Sequence, residues 1–510
     1  MTMSSPGKVC SIEQLGMESE RLKALGKRVV LCHGTFDLMH TGHIRHLQRA
    51  RQEGDVLFVS LTADKFVNKG PGRPVFSQDL RAETLAALAC VDYVAVNSDY
   101  TALTPIEHVK PHVYAKGSDY QSTSDDVTGN ILREINATQA HGGRIFYTDE
   151  ITFSSSSLLN EHFGVFPPET KQYLERFAAE ISDKDIFRQL DSLRKLRVLV
   201  VGDAIVDQYH YVSPLGQTGK GNILAVRYDS EEQFAGGSLA VANHLASFAD
   251  SVTLMTGLGK LETHEEFIRS KLKPNVTPQF FYIDNAPTVV KRRFVDSDLA
   301  KFFEVYFYRD SMQDSPHDEV VAKVLRDELA NYDVVIVPDF GNGFIAPAMV
   351  KALCDHAPFL AVNTQVNSGN RGFHVINRYN RANFVSLNEP ELRLAAHNRH
   401  DPVEVVAEQV ANRVGADFLA VTRGSKGVMI WDRPNKVVHN IPALSTKVVD
   451  RIGAGDAFLS LAGLCLGGKL SSQVAAFVGS AAAAIDVQIV CNREPVEQPM
   501  LYKYVTTLLK

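Results

Sequence analysis

Two stretches of the chain combine residue types and spacings suited to phosphate chemistry. In His40-Thr41-Gly42-His43 the two histidines stand three residues apart. At the start of a helix both imidazoles then face one point, where they can hydrogen-bond phosphate oxygens as charge builds on them. In the second stretch Gly453-Ala454-Gly455 leads directly to Asp456. An apolar lead-in, a glycine turn and a helix-forming sequel put free backbone N–H groups and the positive end of a helix dipole there, which favours an anion. A carboxylate beside those donors is suited to take the proton of a hydroxyl that attacks a phosphoryl group. For a bare Gly-x-Gly-Asp an ordinary acidic first turn is the simpler reading, but the longer string Asp450-x-x-Gly453-Ala454-Gly455-Asp456 disfavours it.

The elements around these stretches read as α/β. Residues 28–32 form an apolar run of strand length, and from Ile44 the period turns helical, with Ile44, Leu47 and Ala50 on one face. Strands over 56–61, 93–96 and 112–115 and a helix over 79–90 continue the alternation, which predicts a parallel, doubly wound sheet with its ligand outside the carboxyl ends of the strands. His46 extends the histidine spacing, but at i+6 from His40 it lies well round the helix and no acidic partner adjoins it, so a metal site is disfavoured. A second buried-strand run opens at Arg197–Val201, followed by Gly202-Asp203-Ala204-Ile205-Val206-Asp207, where Asp203 reads equally well as a helix cap. Fold class is therefore α/β with two doubly wound domains, in four segments: an extension over 1–25, a first domain over 26–163, a helical linker over 164–195 and a second domain over 196–510.

At 510 residues the chain exceeds one core, and a net charge of −6 with 45% hydrophobic residues excludes a nucleic-acid partner as a leading candidate. Six scattered cysteines without a Cys-x-x-Cys pair fit reduced thiols in the cytoplasm. The N-terminus lacks a charged-then-apolar leader, and no apolar run approaches the ~20 residues that cross a bilayer, so no membrane partner is expected.

The first domain resembles the His-x-Gly-His nucleotidyltransferases. The likeness runs through Lys69-Gly70-Pro71-Gly72-Arg73-Pro74, Asp79-Leu80-Arg81-Ala82-Glu83 and Lys116-Gly117-Ser118-Asp119-Tyr120, stretches similar to the nucleotidyltransferase half of bifunctional heptose-phosphate kinase/heptose 1-phosphate adenylyltransferases. The resemblance implies that Gly34, Thr35, Phe36, Asp37, His40 and His43 form the nucleotide site. It further implies that Lys69 and Lys116 contact phosphates and that Ser155, Ser156 and Ser157, which locally read as a helix cap, bind them too. His33 stands where the heptose adenylyltransferases carry Asn.

The second domain resembles the ribokinase-like (PfkB) sugar kinases. The likeness implies that Asp207 binds sugar hydroxyls with Gly236 and Gly237. It makes Asn388 and Glu391, an Asn-x-x-Glu, the organisers of magnesium and phosphate, with Glu391 toward the metal. Thr422, Gly424 and Gly427 would lie along ATP with Gly453, Ala454 and Gly455, and residues 223–233 and 288–307 would form a small β lid. Lys291 and Arg293 match a Thr-x-x-Lys-x-Arg that holds an anionic acceptor. Two departures concern the acceptor: Ala240 replaces an Asn close to Gly-Gly, and Asn342 replaces a lysine in Asp-Tyr-Gly-Lys-Gly. The domain order is also reversed. The expected enzyme phosphorylates a sugar, of heptose-phosphate type at the anomeric hydroxyl, with ATP and Mg²⁺. It then transfers a nucleotidyl group from ATP or CTP to the sugar 1-phosphate; a homo-oligomer is expected. The alternatives are an alditol-phosphate cytidylyltransferase fused to an unrelated sugar kinase, or one degenerate domain serving as a sensor or scaffold.

Overall fold

The structure is a computed structural model that describes residues 7–67, 73–117, 130–148, 166–309 and 317–510. The chain divides into two compact units, residues 1–167 with 502–510, and residues 168–501.

The first unit is built on six strands, β1 (Val9–Cys10), β2 (Val29–Gly34), β3 (Val56–Thr62), β4 (Tyr93–Asn97), β5 (Val113–Gly117) and β6 (Arg144–Thr148), in the order β1-β4-β3-β2-β5-β6. Every pairing is parallel. Val29, Leu31, Val56 and Phe58 pack on one face and Val30, Cys32, Leu57, Val59 and Leu61 on the other, the two-sided burial that makes such strands continuously apolar. Chain order reverses between β2 and β5, so the crevice at their carboxyl ends is the natural ligand position. The segment expected as a separate extension contributes to this sheet: Val9 and Cys10 pair with Val94 and Ala95, and the helix Ile12–Ala24 follows with a Ser11–Gln14 capping box. The helix expected over 79–90 spans Gln78–Ala86, because the chain turns to let Asp92 accept the Leu57 N–H at 2.8 Å.

The second unit has a nine-stranded sheet of β7 (Val198–Val201), β10 (Val252–Gly259), β11 (Val276–Ile283), β14 (Val334–Asp339), β15 (Leu360–Thr364), β16 (Phe384–Asn388), β17 (Phe418–Thr422), β18 (Val428–Asp432) and β19 (Val437–Ile441). Its order is β11-β10-β7-β14-β15-β16-β17-β18-β19, parallel except at β18 and β19. A separate four-stranded sheet, β13 (Lys301–Phe307), β12 (Val289–Val295), β8 (Ala204–Gln217) and β9 (Leu224–Gly237), is the expected small lid. Asp203 caps no helix, since β8 begins at the next residue; it accepts the Phe344 N–H at 3.1 Å instead. Residues 168–192, expected as linker, form two helices that belong to this unit, and Phe177 stacks on Phe477 with ring centroids 4.2 Å apart.

Four of the six cysteines are buried and two, Cys10 and Cys90, are half-buried; all are free thiols. Among the described residues no helix is long and apolar enough to cross a membrane.

Candidate active sites

In the first unit, β2 ends at Gly34 and Phe36 takes a left-handed backbone (φ 51°), turning the chain toward the helix Thr41–Arg51. Arg81, almost wholly buried, fixes this turn by donating to the carbonyls of Thr35, Thr62 and Phe76 and to Asp64. His40 is the N-cap of that helix, its Nδ1 accepting the Gly42 N–H at 3.1 Å. That bond assigns the ring proton to Nε2, which has no hydrogen-bond partner among the described residues. Burial lowers the His40 pKa, so the neutral ring offers one N–H. His43 stacks on it at 4.0 Å between ring centroids, and Phe36 meets His43 edge-on at 5.5 Å. The two histidines expected to converge are thus brought together.

Asp37 faces away from this cluster, pairing with Arg73 at 3.2 Å and accepting the Val75 N–H at 2.6 Å, so it supports the site by anchoring the loop beyond. Lys116, expected on phosphate, lies at the end of β5 with its ammonium 2.8 Å from Glu134, which also accepts from Tyr114 and from the Ala102 N–H. That ion pair sits beside two histidines whose pKa values burial depresses to about 4, His33 bonded to Ser60 and His46 bonded to Thr148. His46 thus bonds to the end of β6, 2.8 Å from Thr148 Oγ1. Lys69, Ser155, Ser156 and Ser157 lie outside the described residues.

In the second unit Gly453 adopts φ 103° before the helix Ala454–Gly467, and a Cβ there would fall 2.5 Å from Asn492 Oδ1 and 2.7 Å from Asp486 Oδ2. Only glycine allows this turn, which leaves Gly455 open and sets Asp456 in the first turn. Burial, the nearby charge of Asp207 and that of Glu391, partly offset by Lys291, push the Asp456 carboxyl up to about 7. Asp207, on β8, is ion-paired with Arg293 on β12, and Arg293 reaches Glu304 at 3.2 Å. Lys291, two residues before Arg293 on β12, is almost fully buried and lies over the rings of Phe340 at 5.4 Å and Tyr306 at 5.6 Å.

Asn388 and Glu391 form a reciprocal capping box on the helix Glu389–Ala396, and Glu391 also accepts the Val366 N–H at 3.1 Å. Burial pushes its carboxyl up to about 6. Both Glu391 oxygens are therefore bonded to the backbone, and among the described residues no three acidic, histidine or cysteine side chains gather to hold a metal. Thr422 ends β17, and Gly424 and Gly427 turn with φ 58° and 78° into β18. A cavity of about 610 Å³ is lined by Lys291, Arg293, Lys301 and Arg371 together with Asn388 and Glu391. Asn243, the displaced counterpart of the family asparagine, bonds to the backbone of Lys271 and Lys273 away from this cavity. Arg81, Glu134 and Arg371 were not singled out from sequence; for Arg81 and Glu134 a charged residue at a helical core position was the available signal.

Comparison with known proteins matches the chain in two regions. Residues 195–498 match the pfkB family carbohydrate kinases and residues 31–160 the cytidylyltransferase-like proteins. The chain belongs to the pfkB carbohydrate kinase family and carries a cytidylyltransferase-like domain ahead of the kinase domain. It is similar to the bifunctional protein HldE of Pelobacter propionicus, 42% identical over 143 residues covering 28% of each chain. With the bifunctional protein HldE of Geobacter sulfurreducens it shares 46% identity over 125 residues, 24% of each. The matches thus span about a quarter of these relatives' length. Among solved structures, the ribokinase of Thermotoga maritima aligns with 18% identity and a TM-score of 0.47, over 61% of this chain and 99% of that one.

Proposed function

We propose that the chain is a bifunctional enzyme that makes a nucleotide-activated sugar in two steps. In the kinase unit, the acceptor hydroxyl gives its proton to Asp456 as its oxygen attacks the γ-phosphorus of ATP, and ADP leaves. In the first unit an oxygen of the sugar 1-phosphate attacks the α-phosphorus of ATP or CTP, and pyrophosphate leaves. The observation that supports this reading best is the Asp456 carboxyl beside the glycine turn. With its pKa pushed up to about 7 it is both ionised and basic near neutrality, as a general base must be. The neighbouring backbone N–H groups of the helix start stabilise the charge that develops on the transferring group.

For nucleotidyl transfer the supporting feature is the His40–His43 stack, with the His40 Nε2 proton unspent. No covalent intermediate is needed, because the sugar phosphate is already an anionic nucleophile and the site has only to position it and balance charge. Mg²⁺, when it arrives with the nucleotide, neutralises phosphate charge; Glu391 and Asn388 are the groups that would orient it. We take the acceptor to be a sugar phosphate of heptose type, phosphorylated at the anomeric hydroxyl, and the enzyme to be a cytoplasmic homo-oligomer. Mass analysis after incubating candidate sugars and sugar phosphates with ATP, CTP and Mg²⁺ tests the proposal. A sugar bisphosphate followed by an NDP-sugar is expected; phosphorylation without nucleotidyl transfer in any combination would leave the first unit as a binding module.

A further inference from the structure

The cavity of the kinase unit is lined by four cations, and their bonding separates them. Arg293 is committed to Asp207 and Glu304, and Lys301 lies 2.9 Å from the buried Asp450. The side chains of Lys291 and Arg371 make neither an ion pair nor a hydrogen bond among the described residues. Lys291 is 6% exposed, so its ammonium is held in the protein by ring faces and by the more distant charges of Asp207, Asp203 and Asp456. A buried cation without a contacting counter-ion is costly unless a ligand supplies one.

Arg371 stands on a loop built to hold it. Asn367 Oδ1 accepts the N–H groups of Gly369 (2.9 Å) and Asn370 (3.0 Å), Asn370 Oδ1 accepts that of Asn367 (2.8 Å), and both amides donate to the Phe340 carbonyl. Just beyond, His374 and Arg378 each reach the buried Asp339 at 3.1 Å. The loop is therefore pinned on both sides of Arg371 while the guanidinium itself stays exposed at the cavity mouth. The same Phe340–Gly343 segment carries Asn342, whose buried Nδ2 has no hydrogen-bond partner among the described residues and supplies no charge.

We infer that Arg371 is a specificity-determining residue of the kinase site. With Lys291 it binds an anionic group, phosphate or carboxylate, carried by the acceptor away from the hydroxyl to be phosphorylated, and so provides the cation that position 342 lacks. This rests on the kinase reading above. A guanidinium fork suits either anion through paired N–H bonds, which a lysine cannot reproduce.

The test is calorimetric titration of the full-length protein and of Arg371→Ala and Arg371→Lys. The titrants are glucose 6-phosphate and sedoheptulose 7-phosphate, glucuronate, and the neutral parent sugars. ADP release is measured on the same panel. At least one anionic acceptor should bind about tenfold or more tightly than its neutral parent, with phosphate and carboxylate arms showing which anion is read. Arg371→Ala should remove that preference by raising KM with kcat retained, and Arg371→Lys should restore it in part. A preference for neutral sugars, or an anion preference unchanged in Arg371→Ala, overturns the inference while leaving ADP formation as evidence for the kinase. Anion binding that depends on Arg371 without ADP release from any acceptor would instead overturn the kinase reading and uphold this one.

Discussion

Gly236 is kept free of a side chain by Asp207: a Cβ at position 236 would lie 1.9 Å from Asp207 Oδ2. The two residues sit on the antiparallel pair β8–β9, so neither backbone can yield without breaking the ladder. Gly236→Ala should therefore displace the Asp207 carboxylate and disturb its pairing with Arg293. We expect KM for the acceptor to rise more than tenfold and stability to fall by about 1–3 kcal/mol, the usual range for overpacking. Steady-state kinetics and urea unfolding followed by Trp431, the only tryptophan, check both. An unchanged KM would remove Asp207 from the acceptor site.

Asp456 must be ionised to accept a proton, so kcat/KM for phosphorylation should rise with pH along an acidic limb centred near 7. Asp456→Asn should abolish ATP-dependent phosphorylation and leave pyrophosphate release from NTP and sugar 1-phosphate intact. A folded variant that lost both activities would sink the assignment.

The same residue bears on stability with a definite sign. Its carboxyl is raised in the folded state, so the folded protein binds the extra proton. The stability it contributes is full below the unfolded pKa near 4 and is lost as pH rises through about 7. Asp456→Asn should thus stabilise the kinase unit at pH 8 by on the order of 1–4 kcal/mol and by little at pH 4. Trp431-monitored denaturation at the two pH values measures the difference; equal shifts at both would show that the carboxyl is not held protonated.

In the proposed nucleotidyl transfer His40 and His43 are the charge-stabilising pair. Removing one charge-stabilising group from such a site costs on the order of 10²-fold. His43→Ala should lose at least that in pyrophosphate release while phosphorylation continues, and an undiminished rate would make the stacked pair structural only.

Parts of the two candidate sites were legible in the sequence where chemistry and backbone geometry share a local signal. Asp456 was legible because Gly453 must turn with φ 103° beside Asn492 and Asp486, and only glycine can. His40 and His43 were legible because their spacing places both rings on one helical turn. The Lys116–Glu134 ion pair was not legible, since a lysine at a strand end gives no local sign of a carboxylate that approaches from the helix Asn130–Ala140 eighteen residues on in sequence. The Arg293–Asp207 pair was silent for the same reason: the two become neighbours only after β8 and β12 align in parallel. Arg371 was silent because its loop is organised by Asn367 and Asn370 bonding to one another and to Phe340, a tertiary arrangement without periodicity.

The helices Pro168–Glu180 and Asp183–Ser192 show the same limit, and they carry the last prediction. Charged, mostly helical and opening on Pro167-Pro168, the stretch reads as a connector, yet Leu174 and Phe177 are buried, Phe177 at 1% exposure against Phe477. Phe477 belongs to the helix Ser472–Asp486, which packs against the helix bearing Asp456, so this aromatic pair helps cover the core behind that helix. Truncating a buried phenylalanine removes its transfer energy and leaves a cavity, typically about 3–5 kcal/mol. Phe177→Ala should lower the Trp431-monitored stability of the kinase unit by that amount, while Glu175→Ala, on an exposed position of the same helix, should change it by less than about 0.5 kcal/mol. If Phe177→Ala were as neutral as Glu175→Ala, residues 168–180 would be a tether and not part of the kinase core.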